Sequence, residues 1–297
     1  GQMIEDRHLR PVLLAACDAS DLIDIRFGRS VTGQQASDGS VAVTLSDGET
    51  LTARLLLGCD GRGSGVAHRA GIGRVGTDYG QTALVCAVEH ELPHAGIAHQ
   101  FFMPPGPLAI LPLRGNRSSI VWTEGAETAA TLNALPDAEY LDILRPRFGS
   151  FLGDLRLVGG RHTYPLSLTL ARAFVAPRVA LAGDAAHGIH PIAGQGLNLG
   201  FKDIAALADV LSEARARGED IGAPDVLARY QRWRRFDTTA MGLATDAVNR
   251  LFSNDNPLLR LGRDLGMGAI SALPAARRAF IREAAGITGD LPGLMAG

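Results

Sequence analysis

A chain of 297 residues with 46% hydrophobic content is longer than one average domain of ~100–200 residues and can bury a sizeable core, which argues against disorder. Lys and Arg total 29 against 31 Asp and Glu, a net charge of −2 without the basic footprint that nucleic-acid binding leaves. Cys17, Cys59 and Cys86 form no CxxC pair, and no apolar run approaches the ~18 residues of a membrane span, so the pattern fits a reducing cytoplasm without a disulfide framework or membrane span.

The chain opens Gly-Gln-Met in what reads as a loop, a start expected of a fragment or a processed product. Residues 7–17 read as a short helix with Leu9, Val12, Leu13 and Ala16 on one face. The runs 41–45 and 51–57 flank Ser46-Asp47-Gly48 and predict a hairpin. The second run ends at Gly58-Cys59-Asp60-Gly61, and a short helix from Ser64 is expected to stop at Gly71. Residues 76–125 predict an antiparallel meander broken by Pro and Gly turns. A helix is expected over 137–148, with Asp137 as its cap. Residues 178–183 read as a buried strand that runs into Asp184 and a Gly-rich loop. A helix over about 198–214 follows, with Leu199, Ile204, Leu207, Ala208 and Leu211 at helical spacing. Residues 225–285 read as mostly helical.

This order is a mixed α/β fold. The expected arrangement is a Rossmann-like nucleotide-binding domain (1–75 and 160–225) interleaved with an antiparallel-sheet domain (76–159), with a helical region (226–297) ending the chain.

Two strands end in acidic turns, GCDG at 58–61 and GDAAH at 183–187. In open α/β sheets ligands sit at the carboxyl ends of strands, where an ionised Asp can accept from sugar hydroxyls. Asp-Gly is also a common turn, as at Asp38-Gly39 and Asp47-Gly48. The segment after Asp184 sharpens the reading. His187, His190, Pro191, Gly194, Gln195, Gly196, Leu197 and Asn198 lead into a helix, whose unpaired N–H groups and positive dipole end favour a negative group. A phosphate or the pyrimidine edge of a reduced flavin would suit. His187 and His190 lack a third ligand, so no metal is expected. The match Gly71-Ile-Gly73-Arg-Val-Gly76 is rejected as a dinucleotide motif, because a helix precedes it and a strand follows it. Trp122 and Trp233 read as packing residues, and Arg229, Arg232, Arg234 and Arg235 as a solvated helix face.

The stretches 58–72, 106–113, 118–122 and 183–207, with 227–237 and 251–253, resemble the flavin-dependent aromatic monooxygenases of the p-hydroxybenzoate hydroxylase fold. The similarity is strongest to the hydroxylases of ubiquinone biosynthesis. It implies FAD as cofactor, NAD(P)H as co-substrate, and transfer of one oxygen atom from O2 to a phenolic ring, here a polyprenylated one. It places Gly183 and Asp184 at the ribityl chain, and Gly194, Gln195, Gly196, Leu197 and Asn198 near the flavin ring. Asp60 and Gly61 fall near the FAD and the nicotinamide path, and the Pro191 carbonyl faces substrate. No side chain is assigned as a general base.

The sheet would form the substrate chamber, with Phe101, Phe102, Leu108 and Trp122 as candidate walls. The family often has Arg where this chain has His68. Its strand–GxGxxG–helix unit would precede residue 1, so the chain is expected to hold the flavin-ring half of the site. A peripheral cytoplasmic protein at the inner membrane surface is implied, with residues 237–285 as candidate contact and partners among the biosynthetic proteins. Two alternatives stand: a flavin hydroxylase of a soluble aromatic substrate, and a non-catalytic scaffold that kept the fold.

Overall fold

The computed structural model describes residues 3–190, 194, 196–252 and 291–295. The chain forms two compact units. One takes in residues 1–27, 79–166 and 249–266, and the other 28–78, 167–248 and 267–297.

The first unit begins with α1 (Asp6–Asp18), which buries none of its residues, so its apolar stripe is left uncovered among the described residues. The chain later enters through β5 (Arg74–His90), whose first five residues belong to the second unit, and continues as β6 (His99–Met103), β7 (Gly106–Pro112) and β8 (Arg117–Gly125). These four pair antiparallel in the order β5-β8-β7-β6. Two helices follow, α3 (Ala126–Ala134) and α4 (Asp137–Phe148).

The alternation of side chains then decides which residues meet. Leu84, Trp122, Leu108 and Phe101 form one cross-strand row, and Cys86, Ile120 and Ile110 the next row on the same face. Except for Phe101, all of these are buried, packed with Ala129, Leu132, Tyr140, Leu144 and Phe148 of the helices. Asp137 is the first helical residue of α4 rather than its cap. The capping position is Pro136, and no side chain bonds there.

The second unit holds a hairpin and an extra strand, β1 (Val31–Ala36), β2 (Val41–Leu45) and β3 (Thr50–Ala53), in a three-stranded antiparallel sheet. Val41, Val43 and Leu45 alternate inward as its small core. The run 51–57 is not one strand: it breaks after Ala53, and Leu56–Gly58 becomes β4 in a different sheet. There β4 lies parallel to β11 (Val179–Leu181), which pairs antiparallel with β10 (Val175–Ala176). All three residues of β11 are buried, as expected for a strand covered on both faces.

The helices of this unit are α2 (Gly65–Arg69), α5 (Gly196–Ala216) and α6 (Pro224–Phe252), of which residues 224–248 lie in it. Val66, Val179, Leu181, Ala206, Leu207, Val210, Leu227 and Tyr230 close its core. The strand β9 (Leu155–Ala171) runs from the first unit into the second, where Thr169 and Leu170 pair with β12 (His187–Gly188). Arg74, inside the rejected Gly71–Gly76 match, begins a strand that continues past it, so no helix opens there.

Candidate functional site

Leu181 of β11 lies opposite Gly58 of β4 in the parallel pair. The turns carrying Asp60 and Asp184 therefore leave neighbouring strands at the same end, the carboxyl edge at which open α/β sheets bind ligands. Arg62 joins the two turns. Its Nε donates to Asp184 Oδ2 at 3.0 Å and its Nη2 to the Ile189 carbonyl at 3.2 Å. Both partners are open to solvent, at 38% and 39% side-chain exposure, so the pair sits at a surface.

Arg74 holds the same turn from behind, donating from Nη1 to the Ala185 carbonyl at 2.7 Å and from Nη2 to the Asp184 carbonyl at 2.9 Å. Burial lowers the Arg74 pKa, and the Arg62 charge adds to that, against the pull of Asp184 and Asp60.

The Asp60 carboxylate caps α2. Its Oδ1 accepts from the Ser64 hydroxyl at 2.5 Å and its Oδ2 from the Val66 amide at 3.0 Å, while Ser64 Oγ accepts from the Ala67 amide at 2.9 Å. Burial pushes the Asp60 pKa up, but these bonds outweigh it and hold the carboxyl below its usual value.

Gly183 adopts φ +58°, and its Cα faces Gly200 of α5. A Cβ built on Gly200 would lie 3.4 Å from the Gly183 Cα, so the turn rests backbone on backbone against the start of the helix. Gly196, Leu197 and Asn198 form the first turn of α5, where backbone amides point out of the helix end. Leu197 is 60% exposed, and among the described residues nothing beyond the adjoining chain lies within 4 Å of where a Cβ would stand on Gly194, Gly196 or Gly61. The backbone is thus open where the helix dipole is positive, with a solvent-facing carboxylate on the adjoining turn. That arrangement fits a flat group able to carry negative charge and bearing a hydroxylated tail. The reduced flavin of FAD with its ribityl chain has that description.

A family model described as an FAD binding domain matches residues 2–241. The chain belongs to the FAD-dependent aromatic monooxygenase family. It is 46% identical over 286 residues to ubiquinone hydroxylase UbiL of Rhodospirillum rubrum, covering 96% of this chain and 67% of that protein. It is 36% identical over 288 residues to 3-demethoxyubiquinol 3-hydroxylase of Escherichia coli, covering 97% and 73%. Among solved structures it resembles OxyS anhydrotetracycline hydroxylase from Streptomyces rimosus, with a TM-score of 0.71 at 26% identity, covering 93% of this chain and 55% of that one. The chain therefore spans between about half and three quarters of the length of these relatives.

Within this monooxygenase, the expected site residues separate into groups. Asp60, Gly61, Gly183, Asp184, Gly194, Gly196, Leu197 and Asn198 all lie in the second unit. Pro191 and Gln195 lie outside the described residues. Two of the expected substrate walls are corrected. Leu108 and Trp122 point into the core between sheet and helices, both fully buried. Trp122 Nε1 donates to Glu124 at 2.9 Å, and the Arg147 guanidinium lies 4.9 Å over its ring. Phe101 shares their face but is partly exposed, beside His99. Only Phe102, paired with Pro107, turns to the opposite face. That face carries a half-buried row of Val85, Val121 and Ala109, with Ala87, Ser119 and Leu111 beyond it. Alternation along a strand does not say which face is covered, and the helices cover the face that holds Leu108 and Trp122.

Sequence reading also missed the residues that shape the turn: Arg62, Arg74, and a buried group of Asp203, His187 and Arg234. Arg234 was expected on a solvated face, yet it is fully buried, with Nε donating to Asp203 Oδ1 at 2.8 Å. A signal was present. Arg234 falls four residues after Tyr230 and Asp203 four after Leu199, each at helical spacing on an apolar stripe. Among the described residues no group of His, Cys, Asp and Glu could hold a metal.

Proposed function

We propose that this chain carries the flavin-ring part of an FAD- and NAD(P)H-dependent hydroxylase that oxygenates a prenylated phenol of the ubiquinone type. The observation that carries the reading is the Arg62–Asp184 pair at the common end of β4 and β11, on a turn whose Gly183 packs against Gly200 of α5. Bound there, FAD supplies the redox chemistry that activates O2. The chain's own groups hold and orient. Asp184 offers a carboxylate oxygen to the ribityl hydroxyls, and the amides of Gly196, Leu197 and Asn198 oppose negative charge on the ring. Arg62 and Arg74 keep the turn from moving as that charge changes.

For the substrate, the half-buried sheet face of Val85, Phe102, Ala109, Leu111 and Val121 offers apolar area to a ring and prenyl tail. Two of the relatives named above, UbiL and 3-demethoxyubiquinol 3-hydroxylase, bear names of ubiquinone-pathway hydroxylases, which supports this substrate class.

Peripheral contact with a bilayer belongs to the same reading. No helix among the described residues is long and apolar enough to cross a membrane. Arg232, Arg235, Phe236, Ala240 and Leu243 are exposed at helical spacing along α6, with Phe236 79% exposed. The rest of the expected contact, beyond residue 252, lies outside the described residues. Flotation with anionic vesicles should retain the chain and lose a Phe236→Glu, Leu243→Glu variant; equal flotation of both would contradict the contact.

The activity itself is tested by NAD(P)H-dependent oxygen uptake with prenylated and unprenylated phenols. Product from the prenylated ring is expected. Turnover of a soluble aromatic acid alone would favour the other hydroxylase reading.

A further inference from the structure

Beneath the turn that carries Asp184 lies a fully buried carboxylate with three donors. Asp203 Oδ2 accepts from the Gly183 amide at 2.9 Å and stands 2.5 Å from His187 Nε2, while Oδ1 accepts from Arg234 Nε at 2.8 Å. Asp203, His187 and Arg234 are all 0% exposed. Among the described residues His187 Nδ1 has no hydrogen-bond partner, while Nε2 faces a carboxylate oxygen that can only accept, so Nε2 is the donor to Asp203. Arg234 balances the charge, and its Nη1 bonds Asp237 at 3.1 Å. Tyr230, one turn earlier on α6, donates its hydroxyl to the Leu181 carbonyl at 2.7 Å.

Three donors on two oxygens need a carboxylate. An amide at position 203 would present N–H groups either to Arg234 or to Gly183 and His187. A buried charge costs desolvation that an apolar residue would not, so its presence is explained by the geometry it imposes rather than by stability alone.

That geometry is specific. Gly200 and Asp203 are one turn apart on α5. Gly200 meets the Gly183 Cα and Asp203 grips the Gly183 amide, so the helix that offers amides to a ligand also sets the height of Asp184 above them.

We propose that Asp203, supported by His187 and Arg234, is a positioning residue that sets the Gly183–Asp184 turn for flavin binding. The proposal rests on the FAD reading above, and its test separates the two. Amide hydrogen exchange at Gly183 and FAD affinity by flavin fluorescence would be measured on the 297-residue chain and on D203N, H187L and H187Q. Exchange at Gly183 should quicken about tenfold or more in D203N and H187L, and FAD affinity should weaken by a similar factor. H187Q keeps an N–H at the Nε2 position and should stay within about threefold of wild type in both readouts.

Unchanged exchange in folded D203N would overturn the proposal, as would faster exchange with unaltered FAD affinity. If D203N does not fold, the contrast between H187L and H187Q decides on the same readouts, and equal losses in both overturn it. A wild-type chain that takes up no FAD contradicts the functional reading instead, and the exchange arm then decides alone whether Asp203 fixes the turn.

Discussion

Gly183 shows how little chemistry sets the site at the scale of single residues. Its φ of +58° lies where a Cβ crowds the following carbonyl. Gly183→Ala should cost about 1–2 kcal/mol in urea unfolding even though 3.8 Å separates the added Cβ from Gly200. An unchanged midpoint would show that the turn relaxes freely. His190 gives a pH signature. Burial, with the Arg62 charge beside it, lowers its pKa to about 4 from 6.5. The unfolded chain then binds a proton that the folded chain refuses, so stability is full above pH 6.5 and falls as pH drops towards 4. The loss should amount to roughly 3 kcal/mol. His190→Asn should flatten that part of the unfolding-midpoint profile. The acids of the two turns were legible in the sequence as Asp-Gly and Gly-Asp after apolar runs. Arg62 was not, because its partner is 122 residues away.

At the scale of elements, local signals read well and distant pairing did not. The helix over 137–148 appears with the expected bounds, and the hairpin about Asp47-Gly48 forms. The strand β1, VTGQQA, has little strand character of its own and is held by its ladder to β2. The division of 51–57 into β3 and β4 is imposed by β11, far along the chain. Strand alternation also left the facing of the meander open, which is why Trp122 was a candidate wall. Trp122→Ala should cost about 3–5 kcal/mol in denaturant unfolding, as a cavity in the core. Val121→Ala, on the other face, should destabilise less and alter KM for the phenol. The reverse pattern would mean that the two faces have been exchanged. Ser64→Ala should cost about 1 kcal/mol by the same unfolding measurement, through loss of the cap on α2.

Taken whole, the molecule combines a unit built on a helix-covered antiparallel sheet and a unit in which two short parallel strands deliver acidic turns to one end. The family was legible because the segment from Gly183 to Leu207 packs strand, turn and helix start into one stretch of sequence. The buried carboxylate beneath the turn was not, because Arg234 reaches it from α6. The account stands on the flavin ring lying against the first turn of α5 with its ribityl chain at Asp184. A crystal structure of the chain grown with FAD tests this most directly. It should show the isoalloxazine beside the amides of Gly196, Leu197 and Asn198, and a ribityl hydroxyl on the Asp184 carboxylate. A flavin bound elsewhere, with that turn and helix start filled by the protein's own side chains, would contradict it.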